Sequence, residues 1–255
     1  VSQRRFTTST VDRSRVRGSV SLTAMRGLID SLRRTVLALN WEPAGTEWSD
    51  YYSSTHNYDE GALEAKRTIV ASVIDEIEPK NVWDLGANTG MFTDIATDRE
   101  IFTVSFDIDP GAVEINYRES KQKSDKWRLP LILDLTNPTP AIGWKNKERD
   151  ALLERGPADL IMALALVHHL AISNNVPIGE LASFFHNLCN YLLIEFVPKS
   201  DTQVQKLLAF REDIFDDYTQ GTFENEFSSY FDILRKEAIS GSDRMLYLLK
   251  NRSQV

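Results

Sequence analysis

Val82-Trp83-Asp84-Leu85-Gly86-Ala87-Asn88-Thr89-Gly90-Met91-Phe92 is the stretch that decides the fold. An apolar strand signal runs into an acid, and a turn bounded by two glycines then opens a helix. Ligands on open parallel sheets bind beyond the carboxyl ends of the strands. Gly86 would let a ligand approach the backbone, and Gly90 would let the following helix pack close. The spacing is G-x-x-x-G rather than the G-x-G-x-x-G of dinucleotide sites. Asp84 would repel a pyrophosphate on the helix N-terminus and would suit a cationic ligand instead. A glycine pair after a strand is equally what a purely structural turn presents.

Outward from this turn, strand and helix signals alternate. Strands read as 81–85, 102–108, 129–133, 159–165 and 191–197, and helices as 90–97, 110–119, 145–155, 177–190 and 201–210. Upstream, Glu60 to Ile77 reads as an amphipathic helix with an apolar stripe of Leu63, Ile69, Val70, Val73, Ile74 and Ile77, stopped by Pro79. Asp109 before Pro110 is an N-cap with proline at the first helical position, and Ser200 with Gln203 forms a capping box. Strands separated by crossover helices imply a mostly parallel sheet covered on both faces. Residues 230–234 and 244–249 are consecutive strand signals around Gly241-Ser242-Asp243, a terminal antiparallel hairpin.

Ahead of this core lies a different region, and residues 1–59 are expected to form an arm, a helix and an aromatic segment separate from a domain over 60–255. Residues 1–40 hold eight Arg and no Lys against Asp12 and Asp30, whereas the whole chain has a net charge of −8. The acidic remainder argues against duplex nucleic acid as the main partner, although the basic arm could touch phosphate or an acidic surface. Leu22, Met25, Leu28, Ile29, Leu32, Val36 and Leu39 recur at helical spacing. Trp41, Trp48, Tyr51, Tyr52, His56 and Tyr58 crowd the stretch before Glu60.

Composition excludes several classes. With 42% apolar and 26% charged residues the chain is an ordinary globular protein, neither disordered nor collagen-like. The single Cys189 can form no internal disulfide and no thiolate metal site, which points to a reducing, cytoplasmic setting. No apolar run approaches a membrane span. Position 1 is Val rather than Met, which leaves a longer parent chain open. The four histidines show no metal-ligand spacing, and no G-x-S-x-G nucleophile turn is present.

Two more acids follow the decisive turn. Asp107 ends the second strand, where a carboxylate can accept two hydrogen bonds from a ribose diol. Asp134 ends the third strand and could accept from an adenine amino group or cap the turn before Asn137-Pro138.

With Asp84-x-Gly86-x-x-x-Gly90, Asp107, Asp134 and the fourth strand Ala158-Asp159-Leu160-Ile161-Met162-Ala163, residues 60–250 resemble the class I S-adenosylmethionine-dependent methyltransferases. The resemblance implies a doubly wound, mostly parallel, seven-stranded Rossmann-like α/β sheet with an antiparallel C-terminal hairpin. It implies S-adenosylmethionine as cofactor, with Gly86 and Gly90 along the methionine, Asp107 on the ribose hydroxyls, and Asp134 with Leu135 beside the adenine. The full set it suggests is Tyr58, Asp84, Gly86, Ala87, Asn88, Gly90, Asp107, Ile108, Asp134, Leu135 and Ala163. Many members carry a polar residue after the fourth strand where this chain has Leu164, which puts amino- and RNA-methylating chemistry in doubt. Residues 163–177, 194–199 and 211–215 further resemble the NoeA-type nodulation methyltransferase group.

Methyl transfer needs alignment and, for some acceptors, a base. His168 is the expected base, because it leaves the fourth strand at the ligand edge one residue before its neighbour His169 turns away. Glu195, in the fifth strand, is the alternative; it could instead be a structural partner of Arg211 or Lys199. Asn174 and Asn175 could bind substrate or cap a helix. Residues 41–58 are expected to order over the cofactor, with Tyr58 stacking on it or lying in the core. The implied partner is a small-molecule or saccharide acceptor, methylated at oxygen. A non-catalytic S-adenosylmethionine-binding module and a nicotinamide oxidoreductase are the competing readings.

Overall fold

The computed structural model describes residues 20–43, 46 and 60–252. The chain divides into two compact units, with the division after Glu42. Tyr58, His56, Trp48, Tyr51 and Tyr52, and with them the lid expectation, lie outside the described residues.

In the first unit, helix α1 spans Leu22–Ala38, its N-terminus capped by the Ser21 hydroxyl, which accepts from Ala24 N at 3.2 Å. It has no buried residue.

The second unit begins with α2 (Glu60–Ile77) and carries seven strands: β1 (Asn81–Leu85), β2 (Phe102–Asp107), β3 (Arg128–Ile132), β4 (Ala158–Ala163), β5 (Cys189–Phe196), β6 (Phe231–Ala238) and β7 (Met245–Asn251). Between them lie α3 (Thr93–Thr97), α4 (Pro110–Lys123), α5 (Ile178–His186), α6 (Thr202–Leu208) and α7 (Gln220–Ser228). The sheet order is β3-β2-β1-β4-β5-β7-β6. Strands β1 to β5 pair in parallel, and β7 inserts antiparallel between β5 and β6. The direction of winding reverses between β1 and β4, the place where such sheets open a crevice.

Side-chain alternation builds a core on each face. Trp83, Ile161, Leu192 and Tyr247 point to one face, which α5 and α7 cover with Phe185, Phe223 and Phe227. Val82, Leu160, Met162, Leu193 and Leu248 point to the other, packed with Val70, Val73 and Ile74 of α2.

Several expected boundaries move for local reasons. Residues 145–155 are not a helix: they form two short 3₁₀ turns, Trp144–Asn146 and Leu152–Glu154. Lys145 and Asn146 adopt left-handed backbone, and Trp144 stays exposed, so the segment has no stripe to bury. The helix expected over 177–190 stops at His186, and β5 begins two residues earlier than its apolar run suggests. Strand β2 ends at Asp107, because that carboxylate turns back to accept Asp109 N at 2.9 Å. Asp201, not Ser200, caps α6, accepting from Gln203 N at 2.8 Å. Helix α7 forms where the sequence reading assigns no element. Asp109 caps α4 as expected, accepting from Gly111 N at 2.7 Å.

Candidate functional site

A cavity of about 330 Å³ opens at the carboxyl edge of β1, β2, β3 and β4. It is lined by Gly86 and Asn88 after β1, Phe106, Asp107 and Ile108 at β2, and Leu133, Asp134, Leu135 and Thr136 after β3. Leu164, Ala165, Leu166, His169, Leu170, Ser173 and Asn174 line it after β4, and Leu207 of α6 completes it. Of the residues expected from sequence, Gly86, Asn88, Asp107, Ile108, Asp134 and Leu135 therefore meet in one wall.

The β1 turn supplies the floor. Gly86 has φ +76° and Gly90 φ +91°, a backbone that favours glycine. A Cβ on Gly86 would lie 3.2 Å from Leu166 Cδ1, at the cavity wall. A Cβ on Gly90 would lie 2.7 Å from Asn116 Oδ1, so Gly90 makes room for Asn116 of α4. Asn88, also at positive φ, donates its N–H to Asp107 Oδ2 at 2.7 Å. Both Asp107 oxygens are thus oriented by backbone donors while the residue lines the cavity; burial raises its pKa from its ordinary value. Asp134 Oδ1 accepts from both the N–H and the hydroxyl of Thr136, which fits the turn-capping alternative, while the residue lines the cavity.

Other expected residues lie behind this wall. Asp84 is buried, accepts the Thr93 hydroxyl at 2.7 Å, and has its pKa pushed up to about 6 by burial. Ala87, Gly90 and Ala163 are also absent from the lining; Ala163 is fully buried in β4, where its side chain packs within the sheet.

The histidines exchange the positions expected for them. After β4 the chain passes through Ala165 at φ +51° and winds into a π-turn over His169–Ser173. This turns His168 inward, where it is 2% exposed and its Nδ1 has no hydrogen-bond partner among the described residues. His169 instead faces the cavity, its ring centroid 4.1 Å from that of His168. Burial, with the nearby Arg244 charge, pushes the His169 pKa down to about 4; burial holds His168 well below its ordinary value too. Both are neutral at pH 7.

Glu195 is also not on the cavity wall, and its partners are neither Arg211 nor Lys199. Its carboxylate is fully buried, 2.6 Å from Lys66 Nζ and 3.5 Å from Arg244 Nη1, and accepts from Ala165 N at 2.8 Å. Arg244 in turn holds Asp201 through two nitrogens at 2.7 and 3.1 Å. Lys199 pairs with Asp213 at 2.9 Å. Arg211 donates to the Ile172 and Ser173 carbonyls and to Asn175, bracing the π-turn.

Lys66, Arg244 and Asp201 had no place in the sequence reading. Lys66 left a trace: it follows Ala62 and precedes Val70 at spacings of four, a cation inside an apolar helix stripe. Among the described residues no group of three or more His, Cys, Asp or Glu could hold a metal ion. No described helix is long and apolar enough to cross a membrane.

No protein-family model matches the chain. The nodulation protein NoeA of Rhizobium meliloti (strain 1021) is 38% identical over 197 residues, covering 77% of this chain. The chain spans only 41% of NoeA's length. The magnesium protoporphyrin IX methyltransferase (ChlM) of Synechocystis PCC 6803, solved with bound SAH, matches with a TM-score of 0.52 at 15% identity, over 80% of this chain and 98% of that one. An rRNA methylase from Escherichia coli matches with a TM-score of 0.53 at 16% identity, over 90% of this chain and 86% of that one. At such identities these two likenesses speak for the fold. The chain is a homologue of part of the nodulation protein NoeA, built on the fold of the class I S-adenosylmethionine-dependent methyltransferases.

Proposed function

We propose that the chain is a methyltransferase that binds S-adenosylmethionine in the β1–β4 cavity and methylates a hydroxyl of a small-molecule or saccharide acceptor. The observation that carries this reading is Asp107. Its carboxylate faces a cavity at the winding reversal, held by two backbone N–H groups and flanked by the apolar Phe106, Ile108, Leu133 and Leu135. That acceptor, with its apolar flanks, fits a ribose diol beside an apolar heterocycle.

When bound, S-adenosylmethionine supplies a methyl group on a sulfonium for in-line displacement. The chain's residues have three tasks. Asp107 orients the nucleoside, and Gly86 lets the backbone approach it. Leu164, Leu166, Leu170 and Leu207 exclude water, which strengthens the remaining polar contacts. His169, neutral at pH 7, can accept the acceptor hydroxyl's proton, as a weaker base than an ordinary imidazole because burial lowers its pKa to about 4. This role passes to His169 from His168, which is turned away. Ser173 and Asn174 are the polar groups beside it that can orient the acceptor.

Calorimetry with S-adenosylhomocysteine tests the cofactor site. Asp107→Ala is expected to weaken binding about 10- to 100-fold by removing charge-assisted hydrogen bonds. Unchanged affinity in the folded variant overturns the assignment. Methyl transfer from labelled S-adenosylmethionine to a panel of hydroxylated small molecules and saccharides then tests activity, with His169→Ala expected to keep affinity and lose turnover. Leu164 in the cavity favours a second reading, a binding module without transfer, which cofactor binding with no turnover across the panel would support.

A further inference from the structure

Taken within its own unit, helix α1 buries no residue and leaves its apolar stripe uncovered. Leu22, Met25, Leu28, Ile29, Leu32, Val36 and Leu39 are each between 43% and 74% exposed. Five positions within the helix, Leu22, Met25, Ile29, Leu32 and Val36, alternate spacings of three and four, which is the a/d seam of a coiled coil; the next in the series, Leu39, is the C-cap in extended backbone. Leu22, Ile29 and Val36 fall at a; Met25 and Leu32 fall at d. Branched Ile29 and Val36 at a, with Leu32 at d between them, is the pattern that selects two parallel strands.

The charges select the same arrangement. Arg26 and Arg33 occupy the e positions, while Ser21, Leu28 and Thr35 occupy g. In a parallel pair e faces g of the partner, so each arginine meets an uncharged side chain and the Arg33 stem can cover Leu28. In an antiparallel pair e faces e, and Arg26 would meet Arg33 twice, a like-charge penalty on both flanks. Leu28 and Leu37 lie off the seam, and no aromatic residue lies within the helix to anchor it in a lipid interface.

We infer that the occupant of this face is a second copy of the chain, joined through α1 as a parallel two-stranded coiled coil. Two and a half heptads make a short zipper, so the pair is concentration-dependent.

Sedimentation of the full chain across about 1 μM to 1 mM, the range of transient interfaces, reads the association. The expected result is a monomer–dimer equilibrium whose dissociation constant rises at least tenfold in Ile29→Glu/Leu32→Glu and is unchanged in Ser31→Glu, on the opposite face. Circular dichroism confirms that each variant is folded. Orientation is read by thiol cross-linking, for which the native Cys189 is buried and silent. Val36→Cys is expected to cross-link to itself. Cross-linking only when Val36→Cys is mixed with Met25→Cys, the antiparallel layer, overturns the orientation. A monomer throughout the range, a dimer untouched by the seam variants, or a monomer that binds anionic vesicles through the same residues overturns the inference.

Discussion

Replacing Glu195 with glutamine tests the charge network beneath the cavity. The substitution keeps the side chain's shape and an oxygen for Ala165 N, but removes the negative charge between Lys66 at 2.6 Å and Arg244 at 3.5 Å. Arg244 retains its two-nitrogen grip on Asp201, so its loss is small. Lys66 is 1% exposed and loses its nearest counter-ion. Burial already lowers its pKa, with Glu195 the largest influence opposing that shift. Stranding a buried charge costs about 3–5 kcal/mol. The Asp84 charge also favours ionised Lys66 and places the expectation near the lower end, about 3 kcal/mol at pH 7. Urea unfolding reads this as a lower midpoint at unchanged slope. Lys66→Met in the Glu195→Gln background removes both charges and is expected to cost less than the two single changes together, with a coupling of at least about 1.5 kcal/mol. A Glu195→Gln protein within about 0.5 kcal/mol of the parent, or an additive cycle, refutes the reasoning.

Two further outcomes follow from the geometry. Gly90→Ala puts a Cβ 2.7 Å from Asn116 Oδ1 at φ +91°, while Asn116 is held by Ser105 and Arg128 at 3.1 Å each. It is expected to cost about 1–3 kcal/mol in urea unfolding while S-adenosylhomocysteine affinity per folded molecule is unchanged; loss of binding in a folded variant would move Gly90 to the cavity wall. His169, with its pKa lowered to about 4 from 6.5, contributes stability present above pH 6.5 and lost as pH falls through 4, about 3 kcal/mol in all. Asp84, raised to about 6, acts in the opposite sense, its contribution returning as pH falls from 6 toward 4, so the parent must be compared with His169→Gln. Parallel stability–pH curves for the two proteins would show that His169 titrates normally.

Local chemistry carried the strand–helix alternation, the Asp109 cap, the β1 turn and the meeting of Gly86, Asp107 and Asp134 at one sheet edge. Each is written in periodicity, capping residues or glycine placement within a few positions of the element it forms. Parallel strands with short connections then bring their carboxyl ends together without further instruction. The tertiary structure decided what depends on partners far along the chain. Lys66, Glu195, Arg244 and Asp201 come from α2, β5, the start of β7 and the cap of α6, and only the sheet order, with β7 inserted beside β5, brings them together. It also decided between His168 and His169. Which of two adjacent side chains faces a cavity is set by backbone torsion, here Ala165 at φ +51° and the π-turn that follows, held by Glu195 on one side and Arg211 on the other. That torsion has no periodic signature in the sequence, because it is imposed by buried hydrogen bonds from other elements.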